Sequence, residues 1–155
     1  MNFDPQVRDV YGEHGAALSE AQLLENYLGY AIVAAQDLAS SESLASEMAL
    51  VSRRSMGQLI RRLRELIPIA SSFDARLDMA LERRNWLAHR YFSDRAMPFQ
   101  TESGRAEMIR ELDEIGEEFY QLWGYLDTAI VSWLRRPSPT TAMFVEDFIR
   151  AVAEA

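Results

Sequence analysis

The longest helical pattern in the chain is TESGRAEMIRELDEIGEEFYQLWGYLDTAIVSWLR, residues 101–135. Its apolar side chains recur every three or four residues, as on one face of an α-helix, and form this ladder: Met108, Leu112, Ile115, Phe119, Leu122, Leu126, Ile130 and Trp133. Thr101 or Ser103 can cap the start, and Arg135 and Arg136 suit the end. The near-heptad spacing predicts a long helix that packs within a bundle and against a second copy of the chain.

Helical patterns also fill the chain on both sides of this segment, and prolines at positions 5, 68, 98, 137 and 139 separate them. We predict further helices over 17–38, 48–67, 71 to about 92, and 141–153, with a loosely structured lead-in over 2–15, a serine-rich link over 39–47 and a loop over 93–100. No segment alternates apolar and polar residues with period two. The sequence therefore predicts an all-α fold, an up-and-down four-helix bundle with an extra C-terminal helix. We expect residues 1–155 to form a single domain, with its core at about 16–135 and a tail helix at about 141–153.

Composition narrows the function. The 155 residues are 48% hydrophobic and 26% charged, as in folded globular proteins. Cysteine is absent, which excludes disulfides and thiolate metal sites. There is no signal-peptide pattern, and the longest apolar run, near 30–35, is too short to cross a bilayer. We expect a soluble cytoplasmic protein with no cofactor and no membrane partner. The net charge of −8 argues against a general nucleic-acid coat or an anionic-membrane binder.

The charges are segregated along the chain. Residues 53–95 carry ten arginines against five acids, whereas the remaining residues carry six arginines against nineteen acids. Every basic residue is arginine, which suits bidentate contacts to phosphate or carboxylate. The segregation indicates either a ligand site or pairing with the acidic helices. The Arg53–Arg64 cluster can likewise be an RNA track or a solvated helix face.

The most unusual stretch in this basic region is LERRNWLAHRYF, residues 81–92. On a helix, Asn85 and His89 lie one turn apart on the same face, and Arg84 lies about 140° around from His89. Arg84 and Asn85 interrupt an apolar ladder, whose members are Leu77, Leu81, Ala88 and Phe92. We therefore expect both polar side chains to face a partly buried region, at a pocket wall or a dimer interface. The other histidine, His14, falls in the predicted lead-in and is expected to have no role.

The residue types in this stretch suit phosphodiester chemistry. The sequence contains neither a glycine-rich phosphate loop nor a His/carboxylate pattern with metal spacing. His89 can take a proton from an attacking 2′-hydroxyl or give one to the leaving oxygen. Arg84 can stabilise negative charge on the phosphoryl oxygens, and Asn85 can orient the imidazole or hold the phosphate. Trp86 and Tyr91 can stack on unpaired bases, or they can be core or interface anchors.

The pattern Arg84-Asn85-x-x-x-His89-x-Tyr91 resembles the motif of the HEPN superfamily of nucleotide-associated helical bundles. The resemblance covers residues 84–91 as a motif and about 16–135 as an order of helices. It implies a homodimer whose two motifs meet across the interface. It also implies metal-independent endoribonuclease activity, with a 2′,3′-cyclic phosphate as product, in a toxin or defence system. Arg84, Asn85 and His89 then form the catalytic site.

The same resemblance suggests further site residues and a partner. Arg83, Arg90 and Tyr91 lie next to the catalytic residues and are expected to bind the RNA substrate. In one branch of the superfamily, a nucleotidyltransferase-like antitoxin silences its partner by adenylylating a tyrosine two residues after the histidine. Tyr91 occupies that position, so we expect it to be a modification site.

A non-catalytic alternative fits the same sequence. In this alternative the chain is a dimeric scaffold that binds a protein or a nucleotide through the same interface. His89 is then a satisfied histidine at a helix end. Arg84 is then paired with an acid of the long helix, such as Glu111 or Glu118.

Overall fold

The computed structural model describes residues 4–36 and 41–154. Over these ranges the chain forms eight helices, and they run as follows: α1 Pro5–Ala34, α2 Ser41–Val51, α3 Met56–Leu66, α4 Ser71–His89, α5 Tyr91–Asp94, α6 Ala96–Phe99, α7 Glu102–Leu134 and α8 Thr141–Ala153. No strand occurs in the described ranges, so the predicted all-α helical fold is confirmed. None of the described helices combines the length and apolarity that a bilayer crossing requires.

The two long helices, α1 and α7, form the centre of the bundle and run parallel to each other. Near their first turns, Gln6 donates a hydrogen bond to the carbonyl of Glu102 at 3.0 Å. Further along both helices, the Trp123 indole donates to Glu20 at 2.7 Å. The early residue of α1 contacts the early residue of α7, and the later residue contacts the later one. The two helices therefore run parallel, with their N-terminal ends at the same end of the bundle.

Helices α4 and α8 run antiparallel to α7. The start of α4 contacts the second half of α7 through Phe73 and Tyr125, whose ring centroids lie 6.1 Å apart. Past the end of α4, the Tyr91 hydroxyl donates to the carbonyl of Met108 near the start of α7. Helix α8 folds back after α7 and packs its Phe148 ring on Phe73. The helices therefore alternate in direction, and the end of α4 lies beside the start of α7.

The predicted apolar ladder of α7 is largely its buried face, and α1 buries a similar apolar repeat. In α1 the buried side chains include Ala17, Ala21, Leu24, Leu28 and Ala31, and Ala35, directly after the helix, is buried as well. In α7 they include Met108, Leu112, Ile115, Phe119, Leu122 and Leu126, and Ala129 then replaces Ile130 at the buried position. Their burial supplies the main drive for helix packing.

The predicted lead-in over 2–15 was wrong where the structure describes it, because α1 begins at Pro5. The Asp4 carboxylate caps this helix by accepting from the backbone N–H of Gln6 at 2.8 Å, and proline is favoured at the first helical position. Val10 then continues the buried face towards the N-terminus. The far end of the predicted helix, at 37–38, lies outside the described residues.

The predicted single helix over 48–67 was also wrong. It is two helices, because a turn at 52–55 separates α2 from α3. Ser55 and Gln58 form a reciprocal capping box that starts α3 and satisfies the backbone N–H groups of these two residues. The described part of the predicted link over 39–47 belongs to α2. The predicted loop over 93–100 contains the short helix α6 and the last two residues of α5.

Candidate functional site

The candidate site lies on the last two turns of α4. The buried face of this helix carries Phe73, Leu77, Ala80 and Leu87. Leu87 occupies the core position that the sequence assigned to Ala88, and Ala88 is exposed. The helix ends at His89 rather than continuing to Phe92. Asn85 and His89 are therefore both exposed, one turn apart, on the side of α4 that faces away from the core.

Arg84 is the polar residue that interrupts the buried face of α4. It lies between Ala80 and Leu87 in the helical repeat, and its side chain is 32% exposed. Its Nε donates to the Glu25 carboxylate of α1 at 3.1 Å, and its Nη1 donates to Oδ1 of Asn85 at 3.3 Å. The expectation of a partly buried, paired Arg84 is therefore confirmed. Asn85 does not share that burial, and its prediction as a partly buried residue was wrong.

The predicted alternative partners of Arg84 bind other arginines. The Glu111 carboxylate accepts from Nε of Arg95 at 2.9 Å, and the Glu118 carboxylate accepts from Nε of Arg76 at 2.8 Å. Arg84 is instead paired with α1, because its place on the helix turns it towards that neighbour. This ion pair connects the motif to the first helix of the bundle.

An open hollow of about 570 Å³ adjoins the exposed face of the motif. Its lining consists of Glu82, Arg83, Asn85, Trp86, His89 and Arg90. Within the described chain, Arg83 and Arg90 make no ion pair, and no group hydrogen-bonds the His89 ring. With two unpaired arginines and one acid, the hollow favours an anionic ligand such as phosphate.

The two aromatic residues predicted to stack on bases are already engaged within the protein. The Trp86 indole donates to Asp94 at 2.8 Å, and the Arg95 guanidinium lies 4.7 Å from the centre of the Trp86 ring. Tyr91 is 1% exposed, and its hydroxyl donates to the carbonyl of Met108 at 3.4 Å. Burial also raises the pKa of the Tyr91 hydroxyl. Tyr91 is thus a core anchor here. In this conformation its hydroxyl is accessible neither to an RNA substrate nor to an adenylylating enzyme.

His14 has a structural role that the sequence pattern did not reveal. This residue lies in α1, not in a loop, and its Nε2 donates to the carbonyl of Leu87 at 2.9 Å. Its ring also lies 4.8 Å from the ring of Phe92. Carbonyl groups in the last turn of a helix lack partners within the helix, so His14 closes the end of α4 that carries His89. The signal in the sequence was Asp4-Pro5, since a capping residue followed by proline marks a helix start and so places His14 within a helix.

The Arg53–Arg64 cluster is partly neutralised by neighbouring acids. Arg62 pairs with Glu65 at 3.0 Å. Arg64 bridges Asp74 at 2.6 Å and Asp78 at 2.7 Å, and the hydrogen bonds that it donates to Asp78 and Asp74 raise the pKa of Arg64. Arg64 therefore links α3 to α4, whereas the Arg62 pair lies within α3.

No family model, curated protein or solved structure matches the chain. The resemblance to the HEPN superfamily therefore rests on the motif and on its place at the end of a helix. Over the described ranges, no three His, Asp or Glu side chains group in a way that can hold a metal ion.

Proposed function

We propose that the chain is a metal-independent endoribonuclease of the HEPN type whose active site is completed by a second copy of the chain. The observation that carries this proposal is the pair of exposed side chains, Asn85 and His89, one turn apart beside a hollow with two unpaired arginines. This arrangement supplies a proton-transfer group and a phosphate-binding surface on one helix face.

The chemistry explains why two copies are needed. One imidazole takes the proton of the 2′-hydroxyl as its oxygen forms a bond to phosphorus. A second, protonated imidazole gives its proton to the 5′-oxygen as the bond from phosphorus to that oxygen breaks. The products are a 2′,3′-cyclic phosphate and a 5′-hydroxyl. Each chain contributes one exposed histidine, His89, so a dimer with apposed α4 ends supplies both the base and the acid.

The remaining motif residues then divide into two roles. Arg83 and Arg90 line the hollow and bind the phosphates that flank the scissile bond. Arg84 is fixed by Glu25 and donates to Oδ1 of Asn85. We therefore assign Arg84 as a positioning residue that holds the carbonyl oxygen of Asn85, and we assign the amide N–H groups of Asn85 to bind His89 or the phosphate. A cognate antitoxin fits the proposal as a partner that covers the hollow, without modification of Tyr91.

The non-catalytic scaffold is the second candidate, and two observations favour it. Arg84 is half-buried in an ion pair, and Tyr91 is buried, so two of the motif residues contribute to packing. In this alternative the α4 face binds a second copy or another protein, and His89 performs no proton transfer.

The test is RNA cleavage by the purified protein in EDTA. We expect the wild type to cut single-stranded RNA and leave 2′,3′-cyclic phosphate ends. His89→Ala should lower the rate by about 10²-fold or more, the usual contribution of a general acid or base. Tyr91→Phe should cut at the wild-type rate, because the buried hydroxyl takes no part. Sedimentation should show the same dimer for all three proteins.

Two results would contradict the enzyme. One is RNA that stays intact with the wild-type dimer, and the other is equal cleavage by wild type and His89→Ala. Conversely, the scaffold fails if His89→Ala abolishes cleavage while the dimer persists. Arg135→Ala, at the exposed end of α7, is the matched control for loss of a surface cation and should cleave normally.

A further inference from the structure

A second pocket lies where α1 meets the turn between α2 and α3. Its volume is about 160 Å³, below the roughly 300–1,000 Å³ of most small-molecule sites. Met48, Val51 and Leu59 form an apolar wall, and Asn26 adds an amide group. The pocket is thus sized for a small ligand with few non-hydrogen atoms.

Arg54 gives this pocket its chemical character. Its Nη1 is buried, and no group in the described ranges accepts a hydrogen bond from it. A buried N–H group without a partner is costly, and more so when it is charged. Arg54 lies in the turn that connects α2 to α3, and its side chain lines the pocket. The pocket therefore contains a buried guanidinium nitrogen that lacks an acceptor in the described ranges.

The acid in the pocket lining, Glu25, is already engaged. One of its carboxylate oxygens accepts from Arg84 at 3.1 Å, and the other accepts from the Gln22 amide at 3.4 Å. Arg84 therefore neutralises Glu25, and the charge of Arg54 is left uncompensated in the pocket. Electrostatics then favour an incoming anion over a neutral or cationic ligand.

We propose that this pocket binds a small oxyanion, a phosphate or a carboxylate group, on the Arg54 guanidinium. The planar guanidinium of an arginine matches two oxygens of either group. The side-chain amide of Asn26 can donate a further hydrogen bond to an oxygen of the bound anion. The apolar wall accommodates a short carbon chain attached to a carboxylate. This site is independent of RNA cleavage, although Glu25 belongs both to this pocket and to the ion pair that fixes Arg84.

To test this site, inorganic phosphate and, separately, acetate are titrated into the full chain in a low-chloride buffer. Calorimetry measures binding, and thermal unfolding measures the change in Tm. We expect saturable binding and a rise in Tm for the wild type. Arg54→Gln should weaken binding at least about tenfold, because it removes a charge-assisted contact. Arg53→Gln is the matched control, because Arg53 is exposed on the same turn and does not line the pocket. It should bind as the wild type does.

Nuclear magnetic resonance of the wild type supplies a readout that does not depend on any variant. The bound anion should shift the side-chain amide signals of Asn26 with the same saturation curve. Stronger binding of phosphate than of acetate assigns the pocket to a tetrahedral oxyanion, and the reverse order assigns it to a carboxylate. The proposal is overturned if neither anion saturates the wild type, or if Arg53→Gln weakens binding as much as Arg54→Gln.

Discussion

Truncating Glu25 and Arg84 to alanine, singly and together, measures how strongly the first helix fixes the motif. The two side chains are joined at 3.1 Å, and they are 14% and 32% exposed, respectively. Exposed ion pairs contribute about 0–1 kcal/mol, whereas removing one partner of a buried pair costs about 3–5 kcal/mol. This pair lies between these limits, so we expect a coupling free energy of about 1.5 kcal/mol.

Each single variant should also be measurably destabilised. Arg84→Ala loses the packing of its aliphatic stem between Ala80 and Leu87 in addition to the ion pair, for a total of about 2 kcal/mol. In a domain of this size 1 kcal/mol corresponds to a shift in Tm of about 2–4 °C. We therefore expect Arg84→Ala to unfold about 4–8 °C below the wild type.

Urea unfolding of the four proteins gives the coupling free energy as a double-mutant cycle. The control cycle uses Arg62 and Glu65, a pair at 3.0 Å whose side chains are 35% and 57% exposed. Its coupling should stay below about 0.5 kcal/mol. If the Glu25–Arg84 coupling is no larger than that of the control, Arg84 is not fixed by α1, and its assignment as a positioning residue fails.

Three substitutions outside the motif test the packing that supports it. Asp147→Asn should cost about 2–3 kcal/mol, because the buried carboxylate accepts from Arg136 at 2.8 Å. Hydrogen bonds from Arg136 lower the pKa of Asp147. The stabilisation is therefore present above the ordinary carboxylate pKa and is lost as the pH falls through the pKa of the folded state. Urea unfolding between pH 7 and pH 3 measures this loss. Gly104→Ala should lower the free energy of unfolding by about 2 kcal/mol, because the added Cβ would clash with the backbone of Pro98. Gly124→Ala should raise it by about 1 kcal/mol, because its Cβ meets nothing within 4 Å, and thermal unfolding distinguishes the two.

These substitutions contain their own controls. The two glycine variants make the same chemical change in the same helix, so opposite signs can only come from the surroundings of each Cβ. Equal effects would contradict the close approach of the α6 backbone to the start of α7. For Asp147→Asn, the contradictory result is a loss of stability that is the same at pH 3 as at pH 7. At pH 3 the Asp147 carboxylate of the unfolded chain is already largely protonated, so part of the stabilisation that the wild type gains from the pair should be lost.

Helix faces were predictable where the apolar repeat is long. The ladder of α7 was correct from Met108 to Leu126, because six apolar positions in phase leave one orientation that buries them all. The repeat of α4 is short and admits two adjacent alignments, through Leu87 or through Ala88. Packing chose Leu87, since the larger side chain removes more apolar area from water.

Helix ends were less predictable than helix faces. The capping box at Ser55 was present in the sequence, but the apolar positions on both sides of it read as one continuous helix. The start of α1 at Pro5 depended on the Asp4 cap and on contacts with α7. Arg105 of α7, for example, donates to Gln6 at 2.8 Å. Such contacts join residues far apart in the chain, so local sequence patterns do not reveal them.

By itself the sequence determined the all-helical class, the long buried ladder of α7 and the grouping of Arg84, Asn85 and His89 near one helix end. These features follow from the 3.6-residue repeat and from neighbouring positions. The tertiary structure alone decided that Arg84 pairs with Glu25, that Tyr91 is buried and that His14 closes the end of α4. Each of these contacts joins helices that are distant in the chain, and its partner is selected by the packing of α1 and α7 against α4.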